Sequence, residues 1–257
     1  MENYYFHKAV GRRGSESTHH YHENFEIYYL KEGKCRYFID GSFYEVVAGD
    51  IVCIPGGTIH KTNYGIEPHS RMLINFGEEY VAEGLREHIN ELDFVYRGKE
   101  VSIRVSEVFE RIEREFTSGD FLSEEALRLL TCELLLVLIR NRKGGEKIKS
   151  NHSPVDNVID YIRENYMHDI KLSEAAKRES VSPEHLSRVF KKTTGFGFNE
   201  YLTLLRLQRA EFMLKNEPGK TIGEIAYECG FNDSNYFSYK FKQMYKISPK
   251  RARKEDK

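Results

Sequence analysis

The chain has 257 residues, of which 40% are hydrophobic and 31% are charged, and its formal net charge is −1. These values exclude a fibrous or intrinsically disordered chain and leave room for two modest globular domains. The charge is uneven, because residues 1–150 carry a net −5 and residues 151–257 a net +4, counting Lys and Arg against Asp and Glu. A more basic second half has the sign expected of a domain that contacts phosphates.

The sequence predicts a cytoplasmic protein with no membrane partner. Its first residues lack the charged-then-apolar layout of a signal peptide. The most apolar run, residues 129–139, contains Glu133 and is shorter than the ~20 residues that a membrane span needs. The cysteines form no CxxC pair and are typical of small hydrophobic residues in a reducing compartment: Cys35, Cys53, Cys132 and Cys229.

Short apolar and aromatic runs, separated by glycine-containing turns, fill the first hundred residues. Five of the runs predict strands, at residues 25–30, 35–39, 43–47, 50–54 and 71–76. Strands this short and closely spaced predict an antiparallel sandwich or barrel. We assign residues 1–100 to a barrel domain of the jelly-roll kind.

At about residue 101 the hydrophobic period changes to that of a helix. One helix is predicted through Ile103 and Phe116, and a second from Ser123 through Leu138. Residues 101–143 are therefore predicted to form a helical segment that packs on the barrel. Its broad apolar face, residues 122–139, is either a core face or a contact between two copies of the chain.

A domain boundary is predicted at residues 144–154, which are polar, contain two glycines and end in proline. Residues 155–254 are predicted to be entirely helical. The fold class is therefore α+β with separate domains, a β-barrel with trailing helices followed by an all-α domain.

The helical domain contains nearly the same segment twice, at residues 172–193 and 222–244. Ala176 aligns with Ala226 at an offset of 50, and Phe190 with Phe241 at an offset of 51, because the second copy has one more residue at its turn. Each copy predicts a short helix, a tight turn and a second, basic helix. That is the helix-turn-helix layout that docks in the DNA major groove. The alternative, a plain helical bundle with a solvated basic face, does not account for the repeat of both turns.

The turn chemistry of each copy indicates where its second helix begins. Ser182 is predicted to cap the first of these helices, and either Asp233 or Ser234 the second, with Gly230 in the preceding turn. Base edges are contacted from the N-terminal part of such a helix, and lysines further along suit phosphates. The predicted DNA contacts are Glu184, Ser187, Arg188, Lys191 and Lys192 in the first copy, and Asn235, Tyr236, Tyr239, Lys240 and Lys242 in the second.

The string IAYECGFNDSNYFSYKFKQMYKISP, from Ile225 to Pro249, is similar to the signature of the AraC/XylS family of bacterial transcription regulators. Two positions depart from the family pattern: Tyr239 stands where an arginine is common, and Phe198 where proline is usual. The resemblance implies double-stranded promoter DNA and RNA polymerase as partners, control of transcription initiation, and a homodimer paired through N-terminal helices.

Two strings in the first domain resemble the motifs of the cupin family. Gly14, His20, His22, Glu26 and Gly33 satisfy the first motif, and Gly49, Pro55, Gly57 and His60 satisfy the second. His20 and His22 point to one face of a strand, and Glu26 joins them if the alternation continues. With His60 they would form a set of three nitrogens and one carboxylate, suited to Zn, Fe, Mn or Ni.

Three interpretations of this His/Glu set remain open: a catalytic metal site, an effector pocket for a small molecule such as a sugar, and an inherited polar cluster. Tyr28, Tyr37, Phe38 and Arg36 are near enough to line a pocket, but the sequence does not settle which way they face. We expect a non-enzymatic transcription factor that responds to a small-molecule effector and requires no cofactor, with a divalent transition metal at the set as an alternative. The competing hypothesis is a cupin metalloenzyme with a fused helical domain.

Overall fold

A computed structural model describes residues 3–13, 24–89, 91–143 and 154–253 of the chain. The chain divides into two compact units, residues 1–149 and residues 150–257. In the part of the chain that is described, no helix is both long and apolar enough to cross a membrane.

The described part of the first unit contains eight strands: Tyr4–Arg12 (β1), Phe25–Glu32 (β2), Lys34–Ile39 (β3), Ser42–Val47 (β4), Ile51–Ile54 (β5), His60–Tyr64 (β6), His69–Phe76 (β7) and Val95–Tyr96 (β8). They form a five-stranded sheet in the order β1-β7-β2-β5-β8 and a three-stranded sheet in the order β4-β3-β6. All five predicted strands are present, with ends within two residues of the prediction. The strands that the prediction missed, β1, β6 and β8, all lie at sheet edges, where less burial leaves a weaker hydrophobic pattern.

Side-chain alternation along β2 divides the first unit into two cores. Ile27 and Tyr29 point to a core shared with the helices, whereas Tyr28 and Leu30 point to a core shared with the three-stranded sheet. We call the second of these regions the inter-sheet core. Successive residues of β2 therefore point into different cores, one beneath the helices and one between the two sheets.

The strands lie in two separate sheets, and the pairings among the described residues do not close them into one barrel. The predicted closed barrel is therefore not confirmed at this level of detail. Among the described strands, β4 and β6 at the edges of the small sheet pair with no strand of the large sheet, so the arrangement is that of a sandwich. The spacing of the short strands had predicted either a sandwich or a barrel.

Helices cover the outer face of the large sheet. A short 3-10 turn at Glu78–Tyr80 precedes three helices, Glu83–Ile89 (α1), Lys99–Ser118 (α2) and Ser123–Arg140 (α3). The apolar faces of α2 and α3 are buried against the sheet, with Phe109 and Leu134 fully inaccessible. These are the two helices that the periodicity predicted.

The second unit is helical throughout its described residues: Pro154–Asn165 (α4), Leu172–Arg178 (α5), Pro183–Thr194 (α6), Phe198–Asn216 (α7), Ile222–Glu228 (α8), Ser234–Tyr245 (α9) and Pro249–Ala252 (α10). The long helix α7 packs against α6, α8, α9 and α10. Of the predicted linker at residues 144–154, only Pro154 lies within the described residues, and it begins α4.

Candidate functional site

The first helix-turn-helix consists of α5 and α6. Ser180 in the turn has a φ of +57°, in the left-handed region. Ser182 then caps α6, because its hydroxyl accepts a hydrogen bond from the backbone N–H of His185 at 3.1 Å, and Pro183 occupies the first helical turn. The start of α6 is therefore fixed by local chemistry.

The second helix-turn-helix consists of α8 and α9, and both of its helices begin at a side-chain cap. Thr221 and Glu224 form a capping box at the start of α8. Gly230 takes the left-handed turn position with a φ of +84°, as predicted. Of the two predicted caps for α9 the structure uses Asp233, whose carboxylate accepts from the backbone N–H groups of Asn235 at 2.6 Å and Tyr236 at 3.0 Å.

Apolar residues one turn apart anchor each second helix. Leu186 and Phe190 of α6 are buried, as are Phe237 and Phe241 of α9, whose rings lie 5.6 Å apart. Residues spaced by four lie on one face of a helix, so this anchoring determines which residues face outward.

On α6 the residues predicted to contact DNA are all exposed: Glu184, Ser187, Arg188, Lys191 and Lys192. Within the described residues, the one hydrogen-bonding contact of Arg188 is a long one, 3.5 Å between its Nη2 and Nδ1 of His185. Its guanidinium therefore faces solvent with its hydrogen-bonding capacity largely unused.

On α9 the predicted contacts differ in accessibility. Tyr236 and Tyr239 are 49% and 59% exposed, so a large part of each ring is accessible to another molecule. Lys240 is half-buried, with its Nζ 5.7 Å and 5.9 Å from the centroids of those two rings. Asn235 and Lys242 are exposed.

Of the predicted His/Glu set, Glu26 and His60 lie in the described structure, and His20 and His22 lie outside it. Both described side chains are buried in the first unit, with Glu26 Oε2 and His60 Nε2 4.0 Å apart. Asn75 donates to Glu26 Oε2 at 3.2 Å. His60 Nδ1 donates to the Thr58 carbonyl at 2.8 Å, so a neutral His60 ring would carry its proton on Nδ1.

This tautomer would suit metal ligation, since ligating histidines commonly donate their other N–H to a carbonyl. However, one imidazole and one carboxylate are fewer than the three protein ligands of a typical catalytic site. No cluster of three or more His, Cys, Asp or Glu side chains suited to a metal occurs within the described ranges. The metal alternative therefore depends on His20 and His22 and stays a prediction.

Strand alternation separates the other candidate pocket residues. Tyr28 and Tyr37 point into the inter-sheet core, where their rings pack edge to face with centroids 5.3 Å apart. Arg36 and Phe38 point away from it, and Arg36 lies over the Phe43 ring at 4.3 Å. Of the four candidates, only the two tyrosines belong to the inter-sheet core, whereas Phe38 is buried on the other face of β3.

Sequence reasoning missed Arg71, His7 and His69, which carry buried polar nitrogens in the same unit. The available signal was the alternation along β7, where Arg71 shares a face with Leu73 and Asn75. A charged residue at the first position of a predicted strand is more often exposed, so this pattern did not identify an interior position.

Comparison with known proteins accounts for both units. The family described as "AraC-like ligand binding domain" matches residues 7–131, and the family described as "Helix-turn-helix domain" matches residues 175–255. The transcriptional activator RhaR of Mannheimia succiniciproducens is 22% identical over 239 residues, which are 90% of this chain and 84% of that protein. The Msm operon regulatory protein of Streptococcus mutans is 27% identical over 238 residues, covering 91% and 85%. The crystal structure of the C-terminal domain of the response regulator yesN from Fusobacterium nucleatum is 35% identical, covering 38% of this chain and 95% of that one, with a TM-score of 0.37.

Proposed function

Because this chain belongs to the AraC family of DNA-binding transcription regulators with a ligand-binding N-terminal domain, we propose that α6 and α9 are its two recognition helices. Each enters the major groove of promoter DNA with its N-terminal half against the base edges. The observation that carries this proposal is the repeated geometry: both helices follow a tight turn, begin at a side-chain cap and expose the same outward face.

Base contacts from α6 come from Glu184, Ser187 and Arg188. The Arg188 guanidinium suits the two acceptors of guanine, and the Glu184 carboxylate can accept from the amino group of cytosine. Both side chains are exposed and lie one turn apart on the helix, so they can contact neighbouring base pairs.

The second helix contacts DNA with a different set of groups. Asn235 suits the donor and acceptor of adenine. Tyr236 and Tyr239 offer ring faces that can pack against thymine methyl groups or sugars. The Tyr239 hydroxyl already accepts from Gln243 Nε2 at 2.6 Å, so its orientation is fixed and its own proton remains available to a base or phosphate.

Phosphate contacts come from Lys191, Lys192, Lys240 and Lys242, which follow the base-contacting residues along each helix. Three of these lysines are exposed. Lys240 is close to the rings of Tyr236 and Tyr239, so we expect it to contact the backbone beside those residues. Neutralised phosphates release counterions, which makes binding steeply dependent on salt.

In the first unit, we propose that the two sheets form a cupin-like sensor that holds a small-molecule effector in the inter-sheet core. Buried polar side chains within an otherwise apolar interior are typical of such pockets. The effector acts by linkage: if it binds one arrangement of the protein better than another, it shifts DNA binding or dimerisation by that difference in affinity.

A homodimer is proposed through the outer face of α3. Leu122, just before the helix, and Leu129 and Leu136 within it are spaced by seven residues, and they are 57%, 65% and 37% exposed. Exposed leucines at this spacing form one apolar stripe along a helix, as in the seam of a coiled coil. The preceding Phe121 is 93% exposed and extends the stripe. A second copy of the chain would bury it.

We further propose that the DNA-bound protein contacts RNA polymerase in the bacterial cytoplasm and activates initiation, without enzymatic activity of its own. The relative RhaR is named as an activator, which supports this direction of control. Run-off transcription with purified polymerase tests it, since transcript must increase when the protein is added to a bound promoter.

The main test is selection of genomic fragments by the purified full-length protein. We expect enrichment of a shared sequence with two recognition elements about one helical turn apart, ~34 Å. The affinity for that sequence should fall steeply with salt. Equal recovery of all fragments at every salt concentration, or no recovery at low salt, would overturn the proposal.

A further inference from the structure

Arg71 occupies an interior position on a strand that is paired on both sides. In β7 the neighbouring Met72 points to the core beneath the helices, so Arg71 points to the opposite face, toward the small sheet. It stands opposite Leu30 of β2 and Ala9 of β1. A strand held by two neighbours fixes the base of this side chain.

Two nitrogens of the Arg71 guanidinium lack a hydrogen-bond acceptor among the described residues. Its Nε and Nη1 are inaccessible to solvent and form no hydrogen bond with any described residue. The carboxylates of the adjoining β2 are engaged by other groups: Glu32 accepts from Ser70 Oγ at 2.6 Å, and Glu26 accepts from Asn75 Nδ2 at 3.2 Å. Two nitrogens of a cation that are shut off from water without an acceptor are unfavourable, so they favour a bound group of opposite charge.

The surroundings of Arg71 provide further unused hydrogen-bonding groups and aromatic walls. The guanidinium carbon lies 5.8 Å from the ring centroids of both Tyr28 and Tyr64. His69 stacks on Tyr64 with centroids 3.9 Å apart. The Nδ1 atoms of His69 and His7 are also buried without a partner among the described residues.

Both histidines are affected by the Arg71 charge. Burial and then the charge of Arg71 lower the pKa of His7 and His69 below the ordinary value of 6.5. At neutral pH the two rings are therefore uncharged and can each donate one hydrogen bond, while Arg71 supplies the positive charge.

We propose that Arg71 binds the acidic group of the effector, which is therefore a small organic oxyanion, a carboxylate or phosphate, and not a neutral sugar. His7 and His69 donate to the same anion, and the rings of Tyr28 and Tyr64 contact the body of the molecule. This inference rests on the proposed effector role of the inter-sheet core and names the chemistry recognised there. A guanidinium suits such anions because its N–H groups match their oxygens.

The first experiment asks whether Arg71 is a structural residue. Thermal unfolding of the full chain is measured in buffer free of phosphate and carboxylates, for wild type and Arg71→Met. A binding residue that lacks its anion destabilises the protein, so Arg71→Met should unfold at the same temperature or a higher one. The matched control is Arg36→Met on the outer face of the small sheet. A melting temperature for Arg71→Met that falls well below those of wild type and the control would overturn the proposal.

The second experiment adds D-glucuronate, D-glucose 6-phosphate, inorganic phosphate or neutral D-glucose to the same proteins. We expect at least one anion to raise the melting temperature of wild type and of Arg36→Met by about 4 °C at roughly ten times its dissociation constant. Glucose should have no effect, and Arg71→Met should not respond to the anion. The glucuronate and phosphate arms distinguish a carboxylate from a phosphate. A response to glucose, a response retained by Arg71→Met, or no response of wild type to any anion would contradict the proposal.

DNA binding of the same preparations separates this inference from the proposed function. Arg71→Met should bind promoter DNA as ligand-free wild type does, because Arg71 lies in the other unit. Loss of anion response with intact DNA binding leaves the proposed function standing. Failure of wild type to bind DNA refutes the proposed function, whatever the anion result.

Discussion

Arg206 fills the space that a side chain at Gly230 would need. A Cβ added to Gly230 would lie 2.9 Å from Arg206 Nε and 2.7 Å from the Tyr166 carbonyl oxygen. Those two atoms are themselves joined, because Arg206 Nε donates to that carbonyl at 2.7 Å, and its Nη2 donates to the His168 carbonyl at 2.8 Å. The turn of the second helix-turn-helix is therefore held against the segment after α4 by an arginine of α7.

Gly230→Ala should destabilise the DNA-binding unit strongly. The left-handed φ costs about 1–2 kcal/mol for a residue with a Cβ, and the clash with Arg206 and Tyr166 adds about 1–3 kcal/mol. Urea unfolding of the full chain measures the loss. The control is Gly219→Ala, because a Cβ there meets no atom within 4 Å. Equal stability of the two variants would show that the Arg206 contact does not constrain the turn.

Ser180→Gly should have the opposite effect. Ser180 adopts a φ of +57° at the turn of the first copy, where Gly230 stands in the second. Removing its Cβ relieves strain, and the greater freedom of glycine in the unfolded chain offsets part of the gain, so we expect about 0.5–1 kcal/mol of added stability. Ser187→Gly, inside α6, should instead lose about 0.5 kcal/mol. Chemical unfolding of both variants measures the two changes in the free energy of unfolding, which should have opposite signs. A lower free energy of unfolding in Ser180→Gly than in wild type would refute the strain argument.

Arg188→Ala and Lys192→Ala should impair DNA binding differently. Loss of a base contact from Arg188 should weaken the selected site by about 1–3 kcal/mol and relax the preference at one base pair. Loss of a phosphate contact from Lys192 should weaken all duplexes alike and reduce the salt slope by about one. Fluorescence anisotropy on selected and random duplexes separates these outcomes. Equal losses on both duplexes for both variants would contradict the role assigned to Arg188.

Leu129→Lys should dissociate the proposed dimer. A charge in the middle of the stripe formed by Leu122, Leu129 and Leu136 opposes its burial by a second copy, while the exposed position leaves the monomer fold intact. Sedimentation equilibrium measures the dissociation constant, which we expect to rise by at least tenfold. Ile66→Lys is the control, because Ile66 is 90% exposed and lies outside α3. An unchanged constant in Leu129→Lys would place any dimer contact elsewhere.

Acidification should destabilise the first unit partly through His69. Burial and the charges of Arg71 and Arg12 lower the pKa of His69 below 6.5 in the folded protein. Below about pH 6.5 the unfolded chain therefore binds a proton that the folded chain resists, and stability falls as the pH falls toward the folded pKa. His69→Gln should flatten the dependence of the melting temperature on pH in this range. A slope unchanged by His69→Gln would refute this account.

The elements that the sequence predicts well are those in which local chemistry and burial agree. Ser182, Gly230 and Asp233 determine the turns and caps of the two helix-turn-helix copies, and each residue acts within three positions of itself. The interior of the first unit is different. The alternation along β7 places Arg71 on the face of Leu73 and Asn75, but it does not show that β3, β4 and β6 form a second sheet over that face.

The same limit applies to Tyr37 and Arg36, which are adjacent in sequence and face opposite sides of one strand. The sequence predicts that β3 exists, but a shift of one residue in its pairing register would place Arg36 on the buried face and Tyr37 on the outer face. Packing against the neighbouring sheet determines which of them is buried, and that packing arises from contacts distant in the chain.

The helix α7 packs against both α6 and α9 and so links the positions of the two proposed recognition helices. The distance between the two helices then constrains the spacing of the two recognition elements in the promoter. Inserting half a helical turn between the two recognition elements, about 5 base pairs, would rotate one element to the far side of the duplex. One helix could then no longer reach the major groove at its recognition element. We expect regulation to be lost even though every recognised base is still present.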